Sequence, residues 1–87
     1  MKALVKNVNI RGCEEKVNKR GEGYLLVRFE EESGAPQVLV DKDLERKQSY
    51  KRGQDMDLWI DISLGSKYVN VRIISAEPAE GTSNEQG

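Results

Sequence analysis

Histidine is absent from this chain of 87 residues, and cysteine occurs once, as Cys13. Without histidine the sequence lacks the commonest general base of enzymes. A single cysteine cannot form an intrachain disulfide, and without a second cysteine or a histidine it cannot build a zinc site. We also find no nucleophile paired with a base and no phosphate-binding P-loop. The sequence therefore predicts a protein that is not an enzyme and that needs no metal or cofactor.

Long apolar runs are missing as well. No stretch approaches the roughly 20 apolar residues of a membrane-spanning helix, and the first four residues lack the apolar region of a secretion signal. We therefore expect a cytoplasmic protein with no membrane partner. Aromatic residues are few, at one Trp, three Tyr and one Phe. A core built from so few large side chains is modest, and dimerisation would bury more apolar surface.

A strong charge of either sign is also lacking, because the formal net charge is −1. The last eleven residues contain three glutamates and no basic residue, so residues 1–76 carry fourteen Lys and Arg against twelve Asp and Glu, a net of +2. The composition of residues 77–87 predicts a disordered acidic tail after a folded domain at residues 1–76. Recruitment of partner proteins is an alternative role for this tail, and a plain disordered end is the interpretation that we favour.

Alternation of apolar and polar residues with period two runs through the chain and predicts five short strands. The first strand breaks near Gly12, and the third is the short segment 38–40. The residues expected to face the core on strands one, two, four and five are Leu4, Val8 and Ile10; Leu25, Val27 and Phe29; Met56, Leu58, Ile60 and Ile62; and Val69, Val71 and Ile73. Between the members of the fourth set, Asp57, Trp59 and Asp61 are expected to face solvent.

An insert at residues 41–54 separates the third and fourth strands. Asp43 can cap one or two helical turns there, with Gly53 ending the segment, and a long polar loop is the alternative. Five strands with glycine and proline turns and a longer insert predict an all-β protein, a five-stranded barrel like the oligonucleotide/oligosaccharide-binding (OB) fold, with a short helix at the insert. An SH3-like barrel is the alternative that the pattern leaves open.

The second predicted strand carries large side chains on both faces. If the alternating apolar residues Leu25, Val27 and Phe29 face the core, the residues on the opposite, solvent face are Tyr24, Leu26 and Arg28. An aromatic, an aliphatic and a guanidinium in a row suit a stacked base and its phosphate. The turn before this strand adds Lys19 and Arg20, which we expect to contact phosphates. An ordinary surface hairpin is the alternative explanation of this turn.

Further candidates lie later in the chain. Lys51 and Arg52 end the densest basic run, residues 46–52, which surrounds a tyrosine. A groove that follows a nucleic-acid backbone requires such basic residues around an aromatic side chain. A solvated loop is the alternative for this run. Trp59, Tyr68 and Arg72 are expected on the solvent face of the last two strands. Because tryptophan is usually well buried, we favour packing of Trp59 under the insert or in a dimer interface over base stacking.

The turn and strand at residues 18–30 and the closing strand at residues 69–76 resemble the small single-stranded DNA-binding (helix-destabilising) proteins of filamentous phages and related mobile elements. The resemblance covers most of residues 16–76. It implies an OB barrel that forms homodimers and coats single strands with little sequence preference during DNA replication. It also implies that Lys19, Arg20, Tyr24 and Leu26 contact DNA, and that the hairpin at residues 64–68 helps to form the dimer. Fewer tyrosines, a lower pI and the acidic tail distinguish this chain.

The sequence therefore predicts a non-enzymatic protein whose partner is single-stranded DNA. The residues expected to contact the nucleic acid are Lys19, Arg20, Tyr24, Leu26, Arg28, Lys51, Arg52, Trp59, Tyr68 and Arg72. A protein–protein interaction barrel and an RNA-binding barrel are the alternatives. The near-neutral charge predicts moderate affinity with marked sensitivity to salt.

Overall fold

The computed structural model describes residues 1–79, and most of the predicted tail, residues 80–87, lies outside the described residues. The described part forms five strands and one 3-10 helix: β1 (Lys2–Val17), β2 (Gly23–Glu30), β3 (Pro36–Asp41), the 3-10 helix (Leu44–Ser49), β4 (Asp55–Leu64) and β5 (Val69–Pro78). The five predicted strands and the short helix in the insert are thus confirmed.

The strands close into one barrel in the order β1-β2-β3-β5-β4. β1 pairs with β2 along its second half and with β4 along its first half, so this long strand joins the two ends of the sheet. β3 and β5 run parallel and are paired only at Val40 with Arg72 and at Asp41 with Ile73. A five-stranded barrel with a helix between its third and fourth strands is the OB-like arrangement that the sequence predicts.

The core follows the predicted alternation on the middle strands. Leu25, Val27 and Phe29 of β2 are buried, and the inner side chains of β4 from Met56 to Ile60 meet them from across the barrel. Ile62 and Val71 are half-buried and pack against this cluster. Because successive side chains of a strand point to opposite faces, the same register directs Tyr24, Leu26 and Arg28 outward, as predicted.

The prediction that Leu4 faces the core is wrong. The β1–β4 register shifts between Val5 and Val8, and Asn7 adopts a left-handed φ of 57° inside this bulge. The shift reverses the alternation, so that Ala3 and Val5 pack on the core while Leu4 is 39% exposed. The predicted break near Gly12 is a second shift in register, and β1 continues through it to Val17.

Three further expectations need correction. Asp57 lies on the outer face of β4 but is buried, and its Oδ1 accepts a hydrogen bond from the Asn7 backbone N–H at 2.9 Å. Val69 is 56% exposed, since it opens β5 beside the exposed Leu64, its cross-strand partner. β5 continues to Pro78 and the next residue, Ala79, is buried, so the folded domain extends beyond the predicted limit at residue 76.

The insert is anchored by a buried carboxylate at the end of β3. Asp41 accepts hydrogen bonds from Arg46 Nε at 2.6 Å, Arg46 Nη2 at 3.0 Å and Tyr50 Oη at 2.6 Å. Asp43 then caps the 3-10 helix by accepting from the Glu45 backbone N–H. Arg46 and Tyr50, two members of the basic run at residues 46–52, therefore hold the insert in place.

Candidate nucleic-acid interface

A surface groove crosses the barrel between the β1–β2 hairpin and the β4–β5 hairpin. Its first section, the Tyr24 half, has a volume of about 490 Å³ and is lined by Asn18, Glu22, Gly23, Tyr24, Leu26, Val40 and Lys42. Its second section, the Arg72 half, has a volume of about 480 Å³ and is lined by Val40, Lys42, Asp61, Ser63, Asn70, Val71 and Arg72. Val40 and Lys42 belong to both halves. The two sections are therefore parts of one groove across β2, β3, β5 and β4.

The floor of the Tyr24 half is apolar. Tyr24 and Leu26 are half-buried on the outer face of β2, and Val40, the cross-strand partner of Leu26, extends this floor onto β3. The groove crosses four neighbouring strands, a distance of about 14 Å at the usual strand spacing. An aromatic ring beside two aliphatic side chains offers a planar base an apolar surface on which to stack.

The β1–β2 turn borders this floor with basic residues. The Asn18 side-chain oxygen accepts hydrogen bonds from the backbone N–H groups of Arg20 and Glu22, and Gly21 has a φ of 85°. Only glycine adopts that backbone conformation at little cost, so this turn depends on it. Lys19 and Arg20 are exposed on the turn, next to the groove residue Asn18.

The arginine of the same face is held by a carboxylate. Arg28 Nη1 donates to Glu14 Oε1 at 3.1 Å, and this hydrogen bond lowers the pKa of Glu14. The guanidinium lies over Gly12, where an added Cβ would come within 3.3 Å of Nη2. Lys16 approaches the same Glu14 oxygen at 3.8 Å. Glu14 therefore offsets two cations that a phosphate would otherwise attract.

Three other basic residues beside the groove have no such partner in the part of the chain that the structure describes. Lys19, Arg20 and Lys42 form no ion pair within residues 1–79. Arg72 is 3.8 Å from Asp61 Oδ2, a separation longer than a hydrogen bond. The strongest phosphate-binding capacity is thus at the β1–β2 turn and at Lys42.

Several predicted contact residues lie outside this groove. Lys51 and Arg52 precede β4, whose first residue is six positions before the groove residue Asp61, about 20 Å along a strand. Trp59 faces outward beside Leu4 and Ser75 and is 38% exposed, so it does not pack under the insert. Its burial in a dimer interface stays a prediction. Tyr68 is 67% exposed in the β4–β5 hairpin turn rather than on a strand.

The structure adds residues that the sequence did not indicate. Val40 and Lys42 bring β3 into the groove, and Ser63 and Asn70 face each other across β4 and β5. The alternation of the third strand could have placed Val40 and Lys42 on one face. Their position beside Leu26 follows only from the β2–β3 register, which period two alone does not define.

Residues 1–79 contain no cluster of His, Cys, Asp and Glu able to hold a metal ion. Nor does this part of the chain include a helix long and apolar enough to cross a membrane. Comparison of the chain with protein-family models, with curated proteins and with solved structures finds no match.

Proposed function

We propose that this protein binds single-stranded DNA in the groove between its two hairpins, without catalysing a reaction. The observation that carries the proposal is the groove itself, an apolar floor bordered by Lys19, Arg20 and Lys42, which have no carboxylate partner within residues 1–79. OB folds bind oligonucleotides on the face of strands two and three, between the β1–β2 and β4–β5 loops. The groove of this barrel occupies the same face.

In this proposal Tyr24 stacks on one base, and Leu26 and Val40 support the next base. Lys19, Arg20 and Lys42 contact phosphates, while Arg28 and Arg72 do so only when a phosphate displaces Glu14 or Asp61. Stacking tolerates every base because each base has a π-face, which gives coating with little sequence preference. As the resemblance to phage proteins implies, such coating would serve replication of phage or mobile-element DNA.

The affinity of labelled oligo(dT), measured by fluorescence anisotropy across a salt series, tests this proposal. With three phosphate contacts we expect log K to fall against log salt with a slope of about −2, because each contact to a single strand contributes about −0.7. Absence of binding at about 50 mM salt, where electrostatic attraction is strong, would contradict the proposal. The same titration with an RNA oligomer separates DNA binding from the RNA-binding alternative.

Matched variants assign the roles. Tyr24→Ala should weaken binding about tenfold and leave the salt slope unchanged, since stacking releases no counterion. The double variant Lys19→Ala/Arg20→Ala should reduce the magnitude of the slope by about 1.4. Lys51→Ala/Arg52→Ala removes the same charge away from the groove and is the matched control; it should change the slope by much less.

One observation favours the second candidate function, a protein-binding barrel. Leu4 and Trp59 are cross-strand partners on the outer surface and are 39% and 38% exposed. Exposed aromatic and aliphatic side chains in contact are typical of protein interfaces. If neither DNA nor RNA binds, this pair is the surface that the second function would use.

A further inference from the structure

The Arg72 half of the groove differs in character from the Tyr24 half, because hydrogen-bonding side chains surround it. Asp61 lies directly opposite Arg72 on neighbouring strands, and Ser63 lies opposite Asn70. All four line the same cavity of about 480 Å³, a volume within the usual range of ligand pockets. Val40 supplies an apolar wall beside them.

The side chains of Asp61 and Arg72 use little of their hydrogen-bonding capacity. Asp61 Oδ2 is 3.8 Å from Arg72 Nη2, and Asp61 Oδ1 is 3.5 Å from the terminal ammonium group. Both distances exceed the usual range of a charged hydrogen bond. Within residues 1–79 the Arg72 guanidinium makes no hydrogen bond at all. A carboxylate with free acceptor sites therefore lies next to a guanidinium with free donors.

We propose that this half of the groove binds a guanine base, an inference that rests on the proposed function. Guanine presents two adjacent N–H donors, at N1 and N2, next to the O6 acceptor. The Asp61 carboxylate accepts from both donors, and Arg72 donates to O6, as guanidinium groups do in direct readout of guanine. Each of these hydrogen bonds has one charged partner, which makes it stronger than a hydrogen bond between two neutral groups.

The other bases fit this pair less well. Adenine and cytosine offer the carboxylate only one N–H donor on their pairing edge. Thymine and uracil place a single N–H between two carbonyl oxygens, which repel a carboxylate. A protein that coats every sequence through Tyr24 would thus hold one nucleotide position in each binding site with a preference for guanine.

Competition between labelled and unlabelled decamers tests the inference with the full-length protein. The competitors are oligo(dT) and the same decamer with one central dG, dA, dC or deoxyinosine. We expect the dG decamer to bind about tenfold more tightly than oligo(dT), within the discrimination that a bidentate contact supplies. Deoxyinosine lacks the N2 amino group and should lose most of that advantage, a result that does not depend on the folding of any variant.

Two substitutions locate the preference. Asp61→Asn should reduce the dG-to-dT affinity ratio to about one without weakening oligo(dT) binding, because it removes a negative charge from the groove. Arg72→Lys keeps the charge and the salt slope but should also lower the ratio, since an ammonium lacks the planar fork of donors. Glu14→Gln removes a carboxylate that is paired with an arginine outside this cavity, and should leave the ratio intact.

The outcomes separate the two proposals. Equal affinities for dG and dT decamers in the unsubstituted protein overturn the guanine site alone. A preference that persists in Asp61→Asn, or that deoxyinosine retains in full, also overturns it. Failure to bind any decamer overturns the proposed function and this inference together.

Discussion

At the scale of single residues, Asp41 connects the groove to the barrel. It lies between Val40 and Lys42 in the sequence, and its side chain is completely buried. Its two carboxylate oxygens accept hydrogen bonds from Arg46, Tyr50 and the Asp43 backbone N–H. The bidentate contact from Arg46 supplies two of the four hydrogen bonds that this carboxylate accepts, and within residues 1–79 no buried side-chain polar atom lacks a hydrogen-bond partner. The position of Lys42 beside the groove thus depends on a residue that never faces it.

Removing this carboxylate should destabilise the fold strongly. Asp41→Ala leaves the Arg46 and Tyr50 donors without their partner, and breaking a buried ion pair in this way costs about 3–5 kcal/mol. Urea unfolding measures the loss. Glu45→Gln, an exposed carboxylate on the same insert, is the control and should change the free energy of unfolding by less than about 0.5 kcal/mol. A similar small change in both variants would contradict the structural role of Asp41.

Tyr50 gives the fold a specific weakness at alkaline pH. Burial, reinforced by its hydrogen bond to Asp41, raises the pKa of Tyr50 well above the ordinary value of a tyrosine. The unfolded chain therefore releases this proton near pH 10 while the folded protein retains it, so the free energy of unfolding falls as pH rises beyond about 10. The decline should approach about 1.4 kcal/mol per pH unit from this group.

Unfolding of Tyr50→Phe across the same pH series checks this assignment. The variant is less stable at neutral pH by about 1–2 kcal/mol, because Asp41 loses a donor, but its decline above pH 10 should be shallower than that of the unsubstituted protein. Tyr68→Phe, which alters an exposed phenol, is the control and should retain the full decline. Parallel pH profiles for Tyr50→Phe and the unsubstituted protein would show that Tyr50 does not titrate in this way.

At the scale of elements, the first strand shows how much the sequence can predict. Alternation with period two predicts all five strands. It also predicts the inner residues of β2, because clear turn signals bound this strand at both ends. It failed for Leu4, since the bulge at Asn7 reverses the alternation and an asparagine gives no unambiguous sign of a left-handed backbone. In the same way Lys42 and Asn70 were not recognised as groove residues, because strand register is set by pairing across the barrel.

The bulge itself can be tested by substitution at Asn7. Its φ of 57° is costly for a residue with a Cβ, and asparagine tolerates it better than alanine. We expect Asn7→Ala to lower the free energy of unfolding by about 1 kcal/mol, and Asn7→Gly to be close to neutral. Thermal and urea unfolding of the two variants give the comparison. Equal destabilisation by alanine and glycine would mean that the asparagine side chain, rather than the backbone conformation, is what matters.

At the scale of the whole molecule, exposed apolar residues gather at the β4–β5 hairpin. Leu64, Tyr68 and Val69 are 74%, 67% and 56% exposed. We propose, following the resemblance to phage proteins, that this hairpin associates with a second copy. Sedimentation equilibrium should then give twice the chain mass of 9.8 kDa, and Leu64→Glu should give a monomer with unchanged circular dichroism. A monomeric unsubstituted protein at all concentrations would contradict this proposal.

The fold also explains why the net charge of the sequence does not indicate where a nucleic acid would bind. Most arginines of the barrel face a carboxylate, as Arg28 faces Glu14 and Arg46 faces Asp41, so the net charge conceals which cations are free. The candidate site could be predicted where it follows local alternation, at Tyr24 and Leu26. It could not be predicted where it depends on pairing between distant parts of the chain, as for Lys51 and Arg52, which the fold places away from the groove.

If a nucleic acid occupies the groove between the hairpins, titration with oligo(dT) should shift the backbone amide resonances of the groove residues. We predict that the largest shifts occur at Arg20, Tyr24, Leu26, Lys42 and Asn70, with small shifts at Lys51, Arg52 and Trp59. Shifts concentrated around Leu4 and Trp59, or at Lys51 and Arg52, would show that the nucleic acid does not bind in this groove.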